Sequence, residues 1–513
     1  MHMKKTLKKT LAVILVLSVL IPCSAVALRV KAKDADAVTI YVRGVTDIYK
    51  YNEDGSKEAL YDDGEYVDAI IDDAAPLLLT GKYDAYAEKV LEIVTPAYEA
   101  FRPSLEDGSV PANTHPEFVW DADDIDPDAP YYEYFLDERL SPFVVAEDLH
   151  NYIEAVKAET GKTKIYLYAR CLGPVAALTY LYVYERPLNY ENVAGVMLSF
   201  STHESMSLAD AVFTGSVYVS SKALTRWLAS TDLTEMDVDA GTAQMIQRLL
   251  NALNTVQGLS LTSSLLNRLY SNLKYNLFKP LLKEYYALRL MDMACVNEKF
   301  DDMIAYLFSD EGDEETYAYA LGELRNYHEN VYPAINGMLQ TIKEQGKNVI
   351  IMADYGGQQY PVSKESEYLG DYQVGTKAQS IGATTSKVDE TLSKSYIAER
   401  KEAGFEAYIS PDKKVDASTC LFPDNTFFVA NLDHVWSSDY THAELSMLYT
   451  DEFDVHSDPE LPQFLYWDEE NAKLVPLSSV QTDQNDENDF LAFLRKIVDF
   501  FKRIIQAIVN IFK

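Results

Sequence analysis

One cysteine stands where a strand is expected to lead directly into a helix. A β-rich run at 164–168 leads into the residues ARCLGP at 169–174, and a helix is expected over 171–184. At such a turn Cys171 would point up from the sheet, and the N-terminus of the following helix would favour its thiolate, the nucleophilic form. Ala169 and Gly173 are small, as the tight turn around an exposed nucleophile requires. The pattern indicates covalent catalysis by a thiolate, and a buried structural cysteine is the alternative.

The elements around this turn alternate between strands and helices. Strands are predicted at 38–42, 134–136, 164–168, 193–199, 348–352 and 426–430. A helix is predicted over 141–160, ending at Gly161, and the strand at 426–430 is taken as the last of the core. Strands that alternate with helices predict an α/β fold with a mostly parallel sheet covered by helices on both faces.

A long helical segment interrupts this alternation. No strong strand is predicted over 203–345, where helical patterns dominate, for example at 243–253, 261–290 and 314–345. A helical block between two sheet strands is the layout of a lid or cap domain above an active site. We therefore expect a core in two parts, 28–202 and 346–479, with the lid at 203–345 between them.

Five segments together resemble the α/β-hydrolase superfamily, on the side of lipases, esterases and lecithin–cholesterol acyltransferase-like proteins. They are the elbow at 169–173, the loop RGVT at 43–46, the triplet DER at 137–139, the turn GDYQVG at 370–375 and the segment FFVANLDH at 427–434. Their order, with nucleophile, acid and then histidine, is that of the superfamily. The chain departs from the lipase pattern at Ala169, Cys171 and Tyr372, where lipases carry Gly, Ser and Gly.

The resemblance implies a role for each matching residue. Cys171 would be the nucleophile, His434 would take and return its proton, and Asp371 would orient the histidine. The backbone N–H groups of Leu172 and Val45 would hold the oxyanion. These assignments describe a Cys-His-Asp triad acting on an ester or other acyl substrate.

Several residues compete for these roles. Asp412 and Asp416 also suit an acid turn, and His442 is an alternative base, whereas His456 fits a surface loop. The acidic run DADDIDPD at 121–128 has alternating carboxylates like a calcium loop but lacks the central Gly and closing Glu, so we expect a solvated loop and no metal. No cofactor motif is present.

The two ends of the chain differ from the body. Residues 1–27 combine a basic start, a short apolar run and small residues before a cleavage point, as in a secretory signal peptide. A polar linker at 480–489 precedes an amphipathic helix at 490–513 with five basic residues and one acidic residue. This helix is typical of an interfacial membrane helix, and docking on the protein's own core or on another copy is the alternative. We expect a secreted or extracytoplasmic protein, and attachment to the outer face of the membrane through residues 490–513 follows if this helix is interfacial.

The net charge and the number of cysteines exclude several classes of protein. The 513 residues carry a net charge of −35, which argues against nucleic acid as a partner. Four cysteines exclude a disulfide scaffold and a cysteine-based zinc module. The sequence predicts a secreted esterase- or lipase-like hydrolase with a small-molecule or lipid-like acyl substrate. The alternatives are an acyltransferase and an inactive hydrolase-fold surface or binding protein.

Overall fold

The computed structural model describes most of the chain between residues 34 and 480. The described residues are 34–59, 70–99, 101–230, 256–283, 289–430, 432, 434, 438–450 and 453–480. The expected signal peptide at 1–27, the amphipathic helix at 490–513 and all but the first residue of the linker lie outside them, as does the helix expected at 243–253.

A large sheet of eight strands forms the centre of the fold. Its strands stand in the spatial order β15-β14-β13-β8-β7-β6-β1-β5, and all pairs are parallel except β14–β15. Three smaller antiparallel sheets combine β3-β2-β4, β9-β10 and β11-β12. The strands are β1 Ala37–Val42, β2 Ile48–Tyr51, β3 Lys57–Ala59, β4 Thr114–Pro116, β5 Tyr132–Tyr134, β6 Lys164–Arg170, β7 Val193–Ser199, β8 Asn348–Asp354, β9 Gly357–Gln358, β10 Leu369–Gly370, β11 Thr384–Thr385, β12 Val415–Asp416, β13 Thr426–Ala430, β14 Phe464–Asp468 and β15 Lys473–Pro476.

Both faces of the central sheet are buried. On β6, Leu167 packs in one apolar cluster, whereas its neighbours Tyr166 and Tyr168 pack in another on the opposite face. Successive side chains of a strand point to opposite faces, so a strand covered on both sides is apolar at nearly every position. The predicted α/β fold class, with a mostly parallel sheet and helices on both faces, is confirmed.

The helices of the described residues are mostly short. They are α1 Ala75–Leu79, α2 Tyr83–Glu99, α3 Pro142–Thr160, α4 Gly173–Tyr180, α5 Ser207–Phe213, α6 Ser221–Ser230, α7 Val256–Leu273, α8 Lys279–Leu281, α9 Leu290–Met293, α10 Phe300–Leu307, α11 Asp313–Thr316, α12 Ala318–Asn326, α13 Ile335–Glu344, α14 Thr376–Gln379, α15 Lys394–Glu402 and α16 Ser438–Leu448. Single π turns extend several of them, as at Leu181–Glu185 after α4 and Tyr327–Val331 after α12.

Local sequence signals explain the ends of α3. The Ser141 side chain accepts hydrogen bonds from the N–H groups of Phe143 and Val144 at 3.2 and 3.3 Å. Gly161 ends the helix with a φ of 66°, a left-handed conformation that glycine adopts without strain. The helix therefore has nearly the bounds that the sequence predicts.

The sheet continues beyond the strand expected to be its last. β14 pairs with β13 in parallel, from Phe428 opposite Phe464 to Ala430 opposite Tyr466, and β15 turns back against β14. The prediction that 426–430 ends the core was wrong, because the last two strands are only five and four residues long, and the half-buried Tyr466 and Asp468 in β14 and the exposed Lys473 in β15 interrupt the apolar run.

The segment between β7 and β8 contains helices α5 to α13, and its described part contains no strand. Its second half packs on the same face of the sheet as α3 and α4: Met291, Met303, Leu321 and Leu339 belong to one apolar cluster with Val145 and Leu178. The strands expected at 193–199 and 426–430 have these bounds in the structure, and that expected at 134–136 lies at Tyr132–Tyr134.

Candidate active site

Cys171 occupies a strained turn between β6 and α4. Its φ is 58°, a conformation that side chains other than glycine rarely adopt. Its N–H donates to the Ser199 carbonyl at 3.1 Å, and its carbonyl accepts from the Thr202 N–H at 3.0 Å and the Thr202 hydroxyl at 3.1 Å. These bonds to the end of β7 hold the strained backbone, so the side chain is presented at the carboxyl edge of the sheet.

Two glycines allow the chain to pass close to this turn. A Cβ atom on Gly44 would lie 2.7 Å from Cys171 Cβ and 3.0 Å from Sγ. A Cβ atom on Gly173 would lie 2.3 Å from the Val42 carbonyl oxygen. Glycine is therefore required at both positions, where the loop after β1 covers the Cys171 side chain.

His434 lies between the other two predicted triad residues. Its Nε2 is 2.9 Å from Cys171 Sγ, and its Nδ1 is 2.6 Å from Asp371 Oδ2. It stands in the connection between β13 and α16, at the same edge of the sheet as Cys171. His434 is 63 positions from Asp371 and 263 positions from Cys171 in the sequence, yet the three side chains form one hydrogen-bonded chain.

Asp371 is fully buried in the turn that follows β10. Its Oδ1 accepts hydrogen bonds from the N–H groups of Gln373 at 3.2 Å and Val374 at 2.8 Å, which leaves Oδ2 for His434. Tyr372 has a φ of 75°, a left-handed conformation that glycine would adopt without strain. Its backbone is held by hydrogen bonds to Gln358 and from Tyr360, each of 2.7 Å.

The charges around His434 favour its protonated form. Burial alone would lower the pKa of His434, but the charges of Asp371 and Cys171, with the hydrogen bonds to both, hold the pKa well above its usual 6.5. An imidazole with this environment is suited to hold a proton taken from a thiol.

The competing acids and histidines lie in other surroundings. Asp412 is exposed and accepts from the Ser410 hydroxyl at 2.6 Å and the Lys414 N–H at 3.2 Å. Asp416 is buried but pairs with Arg400 at 2.9 Å and Tyr396 at 2.8 Å.

His442 lies on α16 with its ring edge-on to Tyr131, and the exposed His456 is 3.5 Å from Asp424. Of the residues considered from sequence, the structure brings together Cys171, His434 and Asp371.

The two predicted oxyanion donors face the same space as Cys171. Val45 and Leu172 both line the cavity beside it. Neither backbone N–H donates a hydrogen bond to another residue of the described chain, and Leu172 stands just before the first turn of α4, where helix N–H groups have no partner within the helix. Two such groups beside a nucleophile could bind a developing oxyanion.

A cavity of about 910 Å³ opens beside Cys171 and His434. This volume lies in the range of small-molecule sites. Most of its wall is apolar and comes from the segment between β7 and β8, including Met206, Val212, Phe213, Phe278, Leu281 and Leu282. The arrangement places the Cys171 thiol at the edge of a mostly apolar cavity.

No cluster of three or more side chains suited to hold a metal ion occurs within the described residues. In the acidic run at 121–128, Asp121 and Asp126 accept hydrogen bonds from the backbone N–H groups of Asp123 and Asp128 in their own loop. None of the described helices is long and apolar enough to cross a membrane.

Sequence reasoning missed some residues of the site. Thr202 and Asp292 line the cavity, and Cys295 donates from its thiol to the Thr202 hydroxyl at 3.3 Å. No local motif marks these residues, because they reach Cys171 only through tertiary contacts. Gly44 lies in the loop that the resemblance singled out, but its contact with Cys171 has no signal in the sequence.

Comparison with known proteins gives little further information. No protein-family model matches the chain, and no curated protein matches it. A solved structure titled "The crystal structure of Tle4-Tli4 complex" is similar over 35% of this chain and 48% of that chain, with 12% identity and a TM-score of 0.18. The match thus spans about half of that chain. The strand order and helices found here are compatible with an α/β-hydrolase-like fold.

Proposed function

We propose that this protein is an α/β hydrolase that cleaves an ester or other acyl substrate through a Cys171–His434–Asp371 triad. The hydrogen bonds of 2.9 and 2.6 Å that join the three side chains carry the proposal. A thiol next to a histidine that is oriented by a carboxylate is the arrangement used for nucleophilic catalysis on several unrelated folds.

In the first half of the reaction, His434 Nε2 takes the proton of Cys171 Sγ, and the thiolate attacks the carbonyl carbon of the substrate. The carbonyl oxygen becomes an oxyanion, which the N–H groups of Leu172 and Val45 stabilise. When the tetrahedral intermediate collapses, the bond to the leaving alcohol breaks and His434 gives that alcohol its proton. The product is a thioester between the acyl group and Cys171.

In the second half, a water molecule gives a proton to His434 and attacks the thioester carbonyl. The carbon–sulfur bond then breaks, His434 returns the proton to Cys171, and the acid is released. Asp371 remains ionised throughout and stabilises the imidazolium cation.

The apolar cavity supports a lipid-like or other apolar acyl group, in keeping with the resemblance to lipases, esterases and lecithin–cholesterol acyltransferase-like proteins. It also favours acyl transfer as a second candidate, since an acceptor alcohol bound between apolar walls would replace water in the second half of the reaction. Export and attachment to the outer face of a membrane through residues 490–513 complete the proposed role.

The test is incubation of the full-length protein with short p-nitrophenyl esters, followed by mass spectrometry of the intact chain and its peptides. We expect p-nitrophenol release and an acyl adduct on Cys171. Cys171→Ala should abolish both, whereas Cys420→Ser, at a buried cysteine in another apolar cluster, should keep them.

A folded wild-type protein that neither releases p-nitrophenol nor gains an adduct would instead be a surface or binding protein on a hydrolase scaffold. Addition of an alcohol that increases turnover and yields a new ester would favour the acyltransferase.

A further inference from the structure

A carboxylate lies in the mostly apolar wall of the cavity beside Cys171, to which Arg43, Arg170 and Arg289 also contribute. Asp292 lines the cavity together with Cys171 and His434, although only 9% of the residue is exposed. A charged group taken out of water is costly unless partners compensate for the lost hydration. The contacts of Asp292 therefore show whether protein groups bind both of its carboxylate oxygens or leave one to accept a hydrogen bond from a ligand.

One guanidinium is shared between two carboxylates at this place. Arg289 contacts Glu138 Oε2 through Nη2 at 2.7 Å and Asp292 Oδ2 through Nε at 2.6 Å. The side chain of Glu138 is buried. Asp292 Oδ1 accepts no hydrogen bond from any described residue, so the carboxylate of Asp292 keeps an acceptor for a bound molecule.

The position of Asp292 is fixed relative to the nucleophile. Its carbonyl accepts from the Cys295 N–H at 3.1 Å, and Cys295 Sγ contacts the Thr202 hydroxyl at 3.3 Å. That hydroxyl donates to the carbonyl of Cys171 at 3.1 Å.

The short helix α9, which carries Asp292, is also bonded to the loop after β5 through the Met291 N–H and the Glu138 carbonyl, at 3.3 Å. A carboxylate held in this way can accept a hydrogen bond from a substrate without first being ordered.

We infer that Asp292 is a specificity-determining residue, which accepts a hydrogen bond from a hydroxyl or ammonium group on the part of the substrate that lies in the cavity. The inference rests on the proposed function. It narrows the substrate from any apolar acyl group to an acyl group that carries a hydrogen-bond donor. A hydrogen bond to a charged group is worth about 1.5–3 kcal/mol, so a matched substrate should be favoured by about 10- to 100-fold.

The test compares p-nitrophenyl esters of equal chain length that end in methyl, hydroxyl or ammonium, each at several chain lengths, with the full-length protein. We expect wild type to have a higher kcat/KM for one of the donor-bearing esters than for its methyl counterpart. Asp292→Asn keeps the size of the side chain but removes its charge, and should reduce that preference by about 10- to 100-fold, most for the ammonium ester. The matched control is Asp313→Asn, on the same inserted segment, where the carboxylate pairs with Lys283 and does not line the cavity. It should leave the preference unchanged.

The inference would be overturned if Asp292→Asn changed kcat/KM equally for methyl and donor-bearing esters. It would also be overturned if Asp292→Asn and Asp313→Asn changed the preference equally. Asp292 would then be only a structural partner of Arg289.

Failure of the proposed function is separable from this result. If no ester is turned over, calorimetry on the Cys171→Ala protein would compare alkyl amides with methyl and ammonium ends. Tighter binding of the ammonium amide that is lost in the Cys171→Ala, Asp292→Asn double variant would support the site, and equal binding of the two amides would refute it.

Discussion

The three cysteines that the structure describes have different surroundings. Cys295 and Cys420 are buried, and burial raises the pKa of Cys420 to about 12 and that of Cys295 well above 9. Cys171 is only partly buried and contacts His434. Because the thiolate is the reactive form, we predict that iodoacetamide near neutral pH labels Cys171 at least about tenfold faster than either of the others. Peptide mass spectrometry over a time course would measure the three rates.

The control for this prediction is His434→Ala, in which labelling of Cys171 should slow while the rates at Cys295 and Cys420 stay the same. A folded wild-type protein that is labelled equally at all three positions, or is protected at Cys171, would identify Cys171 as a structural cysteine.

The acid of the triad can be tested against its competitor. Asp371→Asn keeps the size of the side chain and removes the charge that favours the imidazolium, so kcat should fall by about 10³–10⁴-fold while the oxyanion donors retain some activity. Asp412→Asn should leave kcat unchanged, because its carboxylate serves only its own turn. Steady-state kinetics and circular dichroism would be measured on both variants. Full activity in Asp371→Asn together with loss in Asp412→Asn would reverse the assignment.

At the scale of residues, the sequence predicts those site residues that stand in a recognisable local motif. Cys171 and Asp371 stand in tight turns, and the residue types next to them in the sequence are typical of such turns. The structure has the positive φ angles of these turns at Cys171 and Tyr372. Asp292 could not be found in this way. It reaches the cavity through a contact between Arg289 and Glu138, two residues about 150 positions apart, and no local pattern records such a pair.

The elements meet closely at the turn that carries Cys171, and a glycine series tests this geometry. In Gly44→Ala the new methyl group would strike Cys171, so kcat/KM should fall by about 100-fold in a protein that still folds. In Gly173→Ala the methyl group would strike the Val42 carbonyl in the sheet, and the free energy of unfolding should fall by about 1–3 kcal/mol. Urea unfolding and ester turnover would be measured for each variant.

Gly337→Ala is the matched control for this series. Gly337 is exposed within α13 and a Cβ there would meet no atom within 4 Å, so alanine should stabilise the protein by about 0.5–1 kcal/mol without changing turnover. If Gly44→Ala is as active as Gly337→Ala, the loop after β1 does not cover the nucleophile as described.

The end of β7 provides a test of pH dependence. His203 is fully buried, and burial lowers its pKa from 6.5 to about 3. The unfolded chain therefore takes up a proton at this histidine as the pH falls below about 6.5, while the folded chain does not, so stability is lost towards acid. From pH 7.5 to pH 5 this group should cost about 2 kcal/mol, at about 1.4 kcal/mol per pH unit.

His203→Gln should lose less stability than wild type over the same range, as measured by urea unfolding at both pH values. An equal loss in the two proteins would mean that His203 is accessible to protons in the folded state. Glu204, whose Oε1 is 3.6 Å from His203 Nε2, is the group whose charge could stabilise such a proton.

The elements that the sequence predicts best are those buried on both faces. β7 and β13 have the expected bounds because continuous apolar runs end at turn residues. The last two strands, β14 and the edge strand β15, were not predicted because half-buried and exposed residues interrupt that pattern. The described part of the helix expected over 261–290 runs from α7 through a π turn at Lys274–Phe278 into α8, and helical periodicity alone does not show such a π turn.

At the scale of the whole molecule, charge is divided unevenly along the chain. Residues 28–488 contain 36 basic and 78 acidic residues, a net charge of −42, whereas residues 489–513 contain five basic and two acidic residues, a net charge of +3. The body should therefore be repelled by an anionic lipid surface and the C-terminal segment attracted to it. The C-terminal segment lies outside the described residues.

Attachment through this segment is the last prediction. Each large apolar side chain that is fully buried in the membrane interface contributes about 1.5–3 kcal/mol, and each basic residue near an anionic surface adds about 1 kcal/mol. We expect the protein without residues 1–27 to co-sediment with vesicles that contain anionic lipid, and a chain truncated after Asn488 to stay in the supernatant. Ester turnover should persist in the truncated chain, because Cys171, His434 and Asp371 all precede the cut. Salt should weaken co-sedimentation, since the attraction between exposed charges is screened. If the full-length chain ignores the vesicles and the truncated chain aggregates, the apolar face of residues 490–513 instead packs on the protein itself or on a second copy.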